Sequence, residues 1–210
     1  MAVILALASA LSWGTGDFLA GRLSRREQVL VVLVWTQLVG LLSAAIYLLA
    51  ASDSWPGFAE MWPALVAGAV GPLALGCFYR GLAIGTMSVV APISATAVIV
   101  PVVAGLTSGD RPGAAAIAGI VLAAVGIVLA SRETEHEDAP QAQDPRASIF
   151  LALGAALGFG IFLTALPAAS DASVPWALVL ARTVSVSMCV AAVLTVSGRR
   201  HPQAADTGVI

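Results

Sequence analysis

Long apolar runs separated by short polar breaks make up almost the whole chain. Seven runs stand out, at residues 2–19, 29–51, 61–84, 87–107, 113–131, 147–169 and 174–197. A helix needs ~20 residues to cross ~30 Å of hydrocarbon at ~1.5 Å per residue, and each run approaches or exceeds that length. The pattern therefore predicts an all-α membrane protein with seven transmembrane helices. The fourth and fifth runs, Met87 to Ser131, are the best-punctuated pair and are joined by the polar turn Thr107-Ser108-Gly109-Asp110-Arg111-Pro112. Pro92 and Pro101 interrupt the first arm, and Gly113, Gly119 and Gly126 recur along the second, a composition suited to closely packed membrane helices around a cavity. Asp110 is placed to cap the fifth helix. The first run lacks the basic flank of a secretory signal and leads straight into the multispanning pattern, so it reads as a retained helix.

Composition agrees with this class. Of 210 residues, 59% are hydrophobic and 10% charged, against roughly 25% charged in a soluble domain, and the mean hydropathy is +0.95. The net charge of -2 stems mostly from acids in one connecting segment, which gives no basic patch for nucleic acid. That segment, residues 132–146, is the longest polar stretch and reads as a linker between two halves. His136 lies in it without a second His or Cys at metal-ligand spacing. Cys77 and Cys189 sit in apolar runs and read as small packing residues.

The chain contains the beginning of a second copy of itself. Ala8-Ser-Ala-Leu-Ser-Trp-Gly14 matches Gly154-Ala-Ala-Leu-Gly-Phe-Gly160 at an offset of 146 residues, and that offset brings Trp35-Thr36 to within one residue of Arg182-Thr183. One copy holds five spans, residues 1–131. An odd number of spans turns the second copy, residues 147–210, upside down, as in secondary transporters with a midplane site between halves. On this reading the second copy holds two of its five helices, and a complete one would extend to about residue 277.

Leu11-Ser-Trp-Gly-Thr-Gly-Asp-Phe18, the run from Phe78 to Pro92, Pro101, the Gly109-Asp110 turn and Gly119 with Gly126 together resemble the EamA-type drug/metabolite transporter superfamily. The likeness is close over residues 3–131 and looser over 147–197. It departs at Gly109-Asp110, where the family usually carries Gly-Glu. The resemblance implies a ten-helix fold of two five-helix halves, no cofactor, and export of amino acids, metabolites or drugs across the bacterial inner membrane. It also implies a small-molecule solute and the lipid bilayer as partners, with proton coupling open. The alternative is a non-functional fragment, or a subunit completed by another chain in a homo- or hetero-oligomer.

A few residues could carry such chemistry. Intramembrane acids are costly and tend to be functional, so Asp17 either takes up a proton or a cationic group or marks the end of the first helix. Arg182 lies deep in its span, where it contacts solute or is held by an ion pair or carbonyls. Arg80, near the end of the third span, is placed to snorkel. Trp13, Trp35, Thr36 and Gln37 either line the solute path or pack between helices. Gly14 and Gly160 mark the repeat, and Trp55 and Trp62 read as interfacial anchors. No paired-acid metal motif, nucleophile with a base, or zinc-type His-Glu spacing occurs, which argues against a membrane enzyme. Arginines concentrate after odd-numbered spans, at Arg22, Arg25, Arg26, Arg80, Arg132, Arg146, Arg199 and Arg200, against Arg111 alone after even ones. The positive-inside rule then puts the amino terminus outside, whereas the resembling family is usually drawn with both termini inside.

Overall fold

The computed structural model describes residues 2–131 and 143–198, and these form helices and short turns with no strand among them. The helices are α1 (Ala2–Ser24), α2 (Val29–Ala51), α3 (Phe58–Ile84), α4 (Met87–Ala95), α5 (Ile99–Thr107), α6 (Ala114–Ser131), α7 (Pro145–Ser170) and α8 (Val174–Gly198). Six spans are long and apolar enough to cross a membrane, α4 and α5 together counting as one. The seventh apolar helix, α6, has 18 residues, about 27 Å at ~1.5 Å per residue. This is the predicted all-α, multispanning architecture. Most of the predicted linker, with Arg132 and His136, lies outside the described residues, as do Arg199 and Arg200.

Three details differ from the expected boundaries. The first helix continues past residue 19 to Ser24, and Gly21 in this extension lies close against Leu82 of α3. The sixth span begins inside the predicted linker, where the Asp144 carboxylate accepts a hydrogen bond from the Ala147 N–H at 3.0 Å and Pro145 occupies the first turn, a strong helix start. The fourth span is broken by a 3-10 turn at Thr96–Val98. Pro101 offers no N–H to the carbonyl of Ala97 and its ring crowds that carbonyl, so the helix tightens there before resuming.

The core forms where α3 meets α7 and α8. Ala74 of α3 lies against Gly158 of α7, and Ala152 and Ala155 are fully buried on the same face. At Gly68 the backbone of α3 approaches that of α8 so closely that an added Cβ would sit 2.5 Å from the Ala181 carbonyl oxygen. The Ser185 hydroxyl donates to the Gly68 carbonyl at 2.8 Å across the contact. Small residues at helix crossings are how membrane helices gain van der Waals contact without a hydrophobic driving force. Outward faces carry exposed Leu, Val, Ile and Phe, for example Leu49, Leu122 and Phe150, as a lipid-facing surface requires.

The ends of the bundle are chemically distinct. At one, Arg25 donates to the Gly85 carbonyl at 2.8 Å, and Arg22, Arg26, exposed Arg80 and Arg146 lie on the ends of α1, α3 and α7 that meet there. At the other, Asp53 accepts from Ser173 at 2.8 Å and from the Trp176 indole at its carbonyl, while Trp55 packs edge-on against Phe58 and Trp176. Trp62 is 61% exposed near the same end. Gly109, at φ +97°, makes the α5–α6 turn in a backbone region that a side chain would strain. The Asp110 carboxylate folds back over Gly105 of α5 instead of capping α6, whose first helical residue is four positions further on. A Cβ added at Gly119 or Gly126 would meet nothing within 4 Å among the described residues, so the expected tight packing along α6 is not formed at these positions.

Candidate functional site

The helix α1 packs against α3 and α2, and the space left between α1 and the α4–α7 pair is an open-sided cavity of about 640 Å³. Ligand sites commonly enclose about 300–1,000 Å³. One face of α1 lines it with Ala6, Ala10, Trp13, Gly14 and Asp17, residues spaced at three and four so that they project to the same side. The small side chains open the space. Opposite them stand Phe159, Phe162 and Leu163 of α7, and Met87, Ala91, Ser94 and Val98 of α4 and the following turn. Phe78 of α3 forms the floor and meets Phe159 edge-on at 5.8 Å between ring centroids. The 3-10 turn matters here, because Ala97 and Val98 in it face the cavity.

Asp17 is half-buried in this wall, and the Trp13 indole, one turn earlier, is its hydrogen-bonding neighbour. It lies seven residues, about 10 Å at ~1.5 Å per residue, before the end of α1, well inside the helix. Among the described residues no cation forms a salt bridge with it, and Arg22 instead stacks over Phe18 at 5.9 Å. The Ser94 hydroxyl oxygen is buried without a hydrogen-bond partner, in a residue only 4% exposed that lines the cavity.

A second, water-sized cavity of about 40 Å³ lies between α2, α3, α7 and α8. Its polar feature is Arg182, whose Nη1 donates to Gln37 Oε1 at 2.6 Å. Gln37 is 1% exposed, and Gly40, one turn along α2, leaves the space that the guanidinium occupies. Trp13, Phe159 and Phe162 line both cavities and form an aromatic partition between them.

The structure thus brings together Trp13, Gly14 and Asp17 in one cavity and Gln37 and Arg182 in the other. Trp35, 65% exposed, lines neither, and Thr36 bonds its own helix at the Leu33 carbonyl. Gly160 packs against Val100 and the Ala97 carbonyl beside the cavity, and Pro92 and Pro101 stand on either side of the 3-10 turn that breaks the fourth span. The cysteines are free, Cys77 half-buried and Cys189 buried. Among the described residues no three His, Cys, Asp or Glu side chains converge. Ser94, Phe78, Phe159 and Phe162 are cavity residues that the sequence does not mark as such. Phe159 was within reach of it, since it stands in the second copy of the motif where Trp13 stands in the first.

A multispanning helical bundle with an apolar, aromatic-walled cavity and one embedded carboxylate has the form of a membrane transporter. The model of the EamA-like transporter family matches residues 1–132, which cover α1 to α6. The chain belongs to that family. No curated protein and no solved structure matches it.

Proposed function

We propose that this chain is a secondary transporter of the bacterial inner membrane that exports a small organic solute by alternating access, with the cavity between α1, α4 and α7 as the solute site. Amino acids, amphipathic metabolites and drugs are the solute classes. The observation that carries the reading is the cavity itself, about 640 Å³, mostly apolar and holding the Asp17 carboxylate inside a membrane-spanning helix. A carboxylate there is expensive unless it takes part in a cycle that neutralises it, and proton uptake by Asp17 supplies the coupling.

The inverted-repeat reading fits the same geometry, with residues 1–131 as the first repeat and residues 147–210 as part of the second. Trp13 and Phe159, and likewise Asp17 and Leu163, stand 146 residues apart and line one cavity from its two sides. The repeat mates α2 and α8 pack against each other, and the Gln37–Arg182 bond joins them near corresponding positions. Both features support a pseudo-two-fold axis between the halves, where carriers of this kind place their site. The testing experiment measures efflux of a panel of labelled amino acids and amphipathic metabolites from vesicles holding the chain, with and without an imposed proton gradient. Gradient-dependent flux of at least one solute is expected, and Asp17→Asn should abolish the dependence. An active Asp17→Asn variant that keeps its full gradient dependence would remove Asp17 from coupling.

A further inference from the structure

We infer that the cavity between α1, α4 and α7 selects amphiphilic organic cations, with the Asp17 carboxylate as counter-ion and the Ser94 hydroxyl as a second polar contact. The inference rests on the cavity being the solute site and adds the chemical class that it accepts. Four observations converge. Asp17 is the charged residue of the lining, no Arg contributes to it, and among the described residues no salt bridge answers its charge. A carboxylate held in an apolar wall is strongly biased toward a ligand that brings the missing positive charge. The Ser94 oxygen is buried, unpartnered and in the same wall, so a ligand hydrogen-bonding group there replaces an interaction that the protein itself leaves unmade. Trp13, Phe78, Phe159 and Phe162 present aromatic rings around the space, and the negative face of a ring attracts a cation.

The neighbouring charged position does not compete for the same ligand. Arg182, which could call for an anion, is already held by Gln37, and the cavity beside it is only water-sized. A bare metal ion is also a poor fit, because calcium and magnesium ions demand about six oxygen ligands at ~2.0–2.6 Å, whereas this wall is apolar apart from a few hydroxyl and carboxylate oxygens. What fits about 640 Å³ of aromatic and aliphatic surface with one carboxylate is a protonated amine or quaternary ammonium carrying a ring or chain.

The test compares two ligands of the same shape, benzyltrimethylammonium and its uncharged carbon isostere neopentylbenzene, by equilibrium dialysis against the purified full chain in lipid nanodiscs. The cation is expected to bind at least about thirtyfold more tightly than the isostere, about 2 kcal/mol at ~1.4 kcal/mol per tenfold. Asp17→Asn should erase that advantage without weakening the neutral ligand, Asp17→Glu should keep most of it, and Ser94→Ala should reduce cation affinity by a smaller factor. Ala10→Trp fills the cavity from an exposed position on α1 and separates the two readings. If Ala10→Trp abolishes binding of both ligands while the wild type fails to prefer the cation, the cavity is the solute site and the cation inference is wrong. If Ala10→Trp leaves both affinities unchanged, the cavity is not the site and the inference falls with it. Melting curves of each variant by circular dichroism verify that the bundle is intact.

Discussion

The Arg182–Gln37 hydrogen bond is the sharpest local prediction, because it ties α2 to α8 with a charge inside the bundle. Its donor and acceptor are 2.6 Å apart, Gln37 is 1% exposed, and Gly40 clears the space beside the guanidinium. A hydrogen bond to a charged group contributes about 1.5–3 kcal/mol net, and removing one partner so that a buried group is left unsatisfied costs about 1–3 kcal/mol, more when that group is charged. Gln37→Leu is therefore expected to destabilise the bundle by about 2–4 kcal/mol, since the guanidinium stays charged and loses its acceptor. Arg182→Met should cost about 1–2 kcal/mol, the orphaned Gln37 amide being partly offset by removal of a charge from the interior. The double variant leaves neither group unpaired and should cost less than the sum of the two by about 2 kcal/mol. Gly40→Ala is an independent probe: its Cβ would stand 3.0 Å from Arg182 Nε and 3.2 Å from Cδ and Cζ, so the guanidinium must shift by a few tenths of an ångström and the bond to Gln37 is strained. The assay is equilibrium unfolding in mixed detergent micelles followed by far-UV circular dichroism. Additive single and double variants, within about 0.5 kcal/mol, would refute the pairing as a stabilising contact.

Other outcomes follow from the same packing. Gly68→Ala should cost about 1–3 kcal/mol or more, because its Cβ would meet the Ala181 backbone and push α3 from α8, whereas Gly119→Ala, with open space around it, should be neutral or stabilising by up to ~1 kcal/mol. Comparable destabilisation by the two changes, read from the same unfolding curves, would contradict the helix contacts. Asp144→Ala removes the acceptor for the Ala147 N–H and should cost about 1 kcal/mol, with Asp144→Ser recovering most of it. The positive-inside rule, applied to the arginines at one end of the bundle, predicts that this end faces the cytoplasm and that the amino terminus lies outside. A cysteine at Ser54 should then be labelled by an impermeant thiol reagent in intact cells and one at Gln28 shielded; the reverse would favour the orientation usual for the family.

The spans were legible because lipid demands the same thing of every residue facing it, and a run of about 20 apolar residues satisfies that demand whatever its neighbours are. Helix ends depended on more local chemistry. Asp144-Pro145 carried a start signal that the polar surroundings concealed, and Gly21 sits where α1 approaches Leu82, 61 residues away in the chain. Asp17 and Arg182 were visible as charges in apolar runs, yet nothing in their spacing said that one faces open space and the other faces Gln37. Ser94 was invisible because a serine among alanines usually bonds its own helix, and only the packed bundle shows its oxygen left over. Gly119 and Gly126 misled for the opposite reason: small residues permit a close approach but do not supply the helix that makes it. The cavity draws on α1, α3, α4 and α7 at once, and the motif match that aligns Trp13 with Phe159 is the sequence feature that reaches across it.

The central claim, that the cavity between α1, α4 and α7 is the path of the solute, is tested most directly by access to Gly14. With Cys77 and Cys189 replaced by Ala and Gly14 by Cys, an impermeant methanethiosulfonate is applied separately to right-side-out and inverted vesicles. Labelling from each side is expected, with protection in both cases by the transported solute. Labelling from one side alone, or labelling that the solute leaves untouched, would contradict the account.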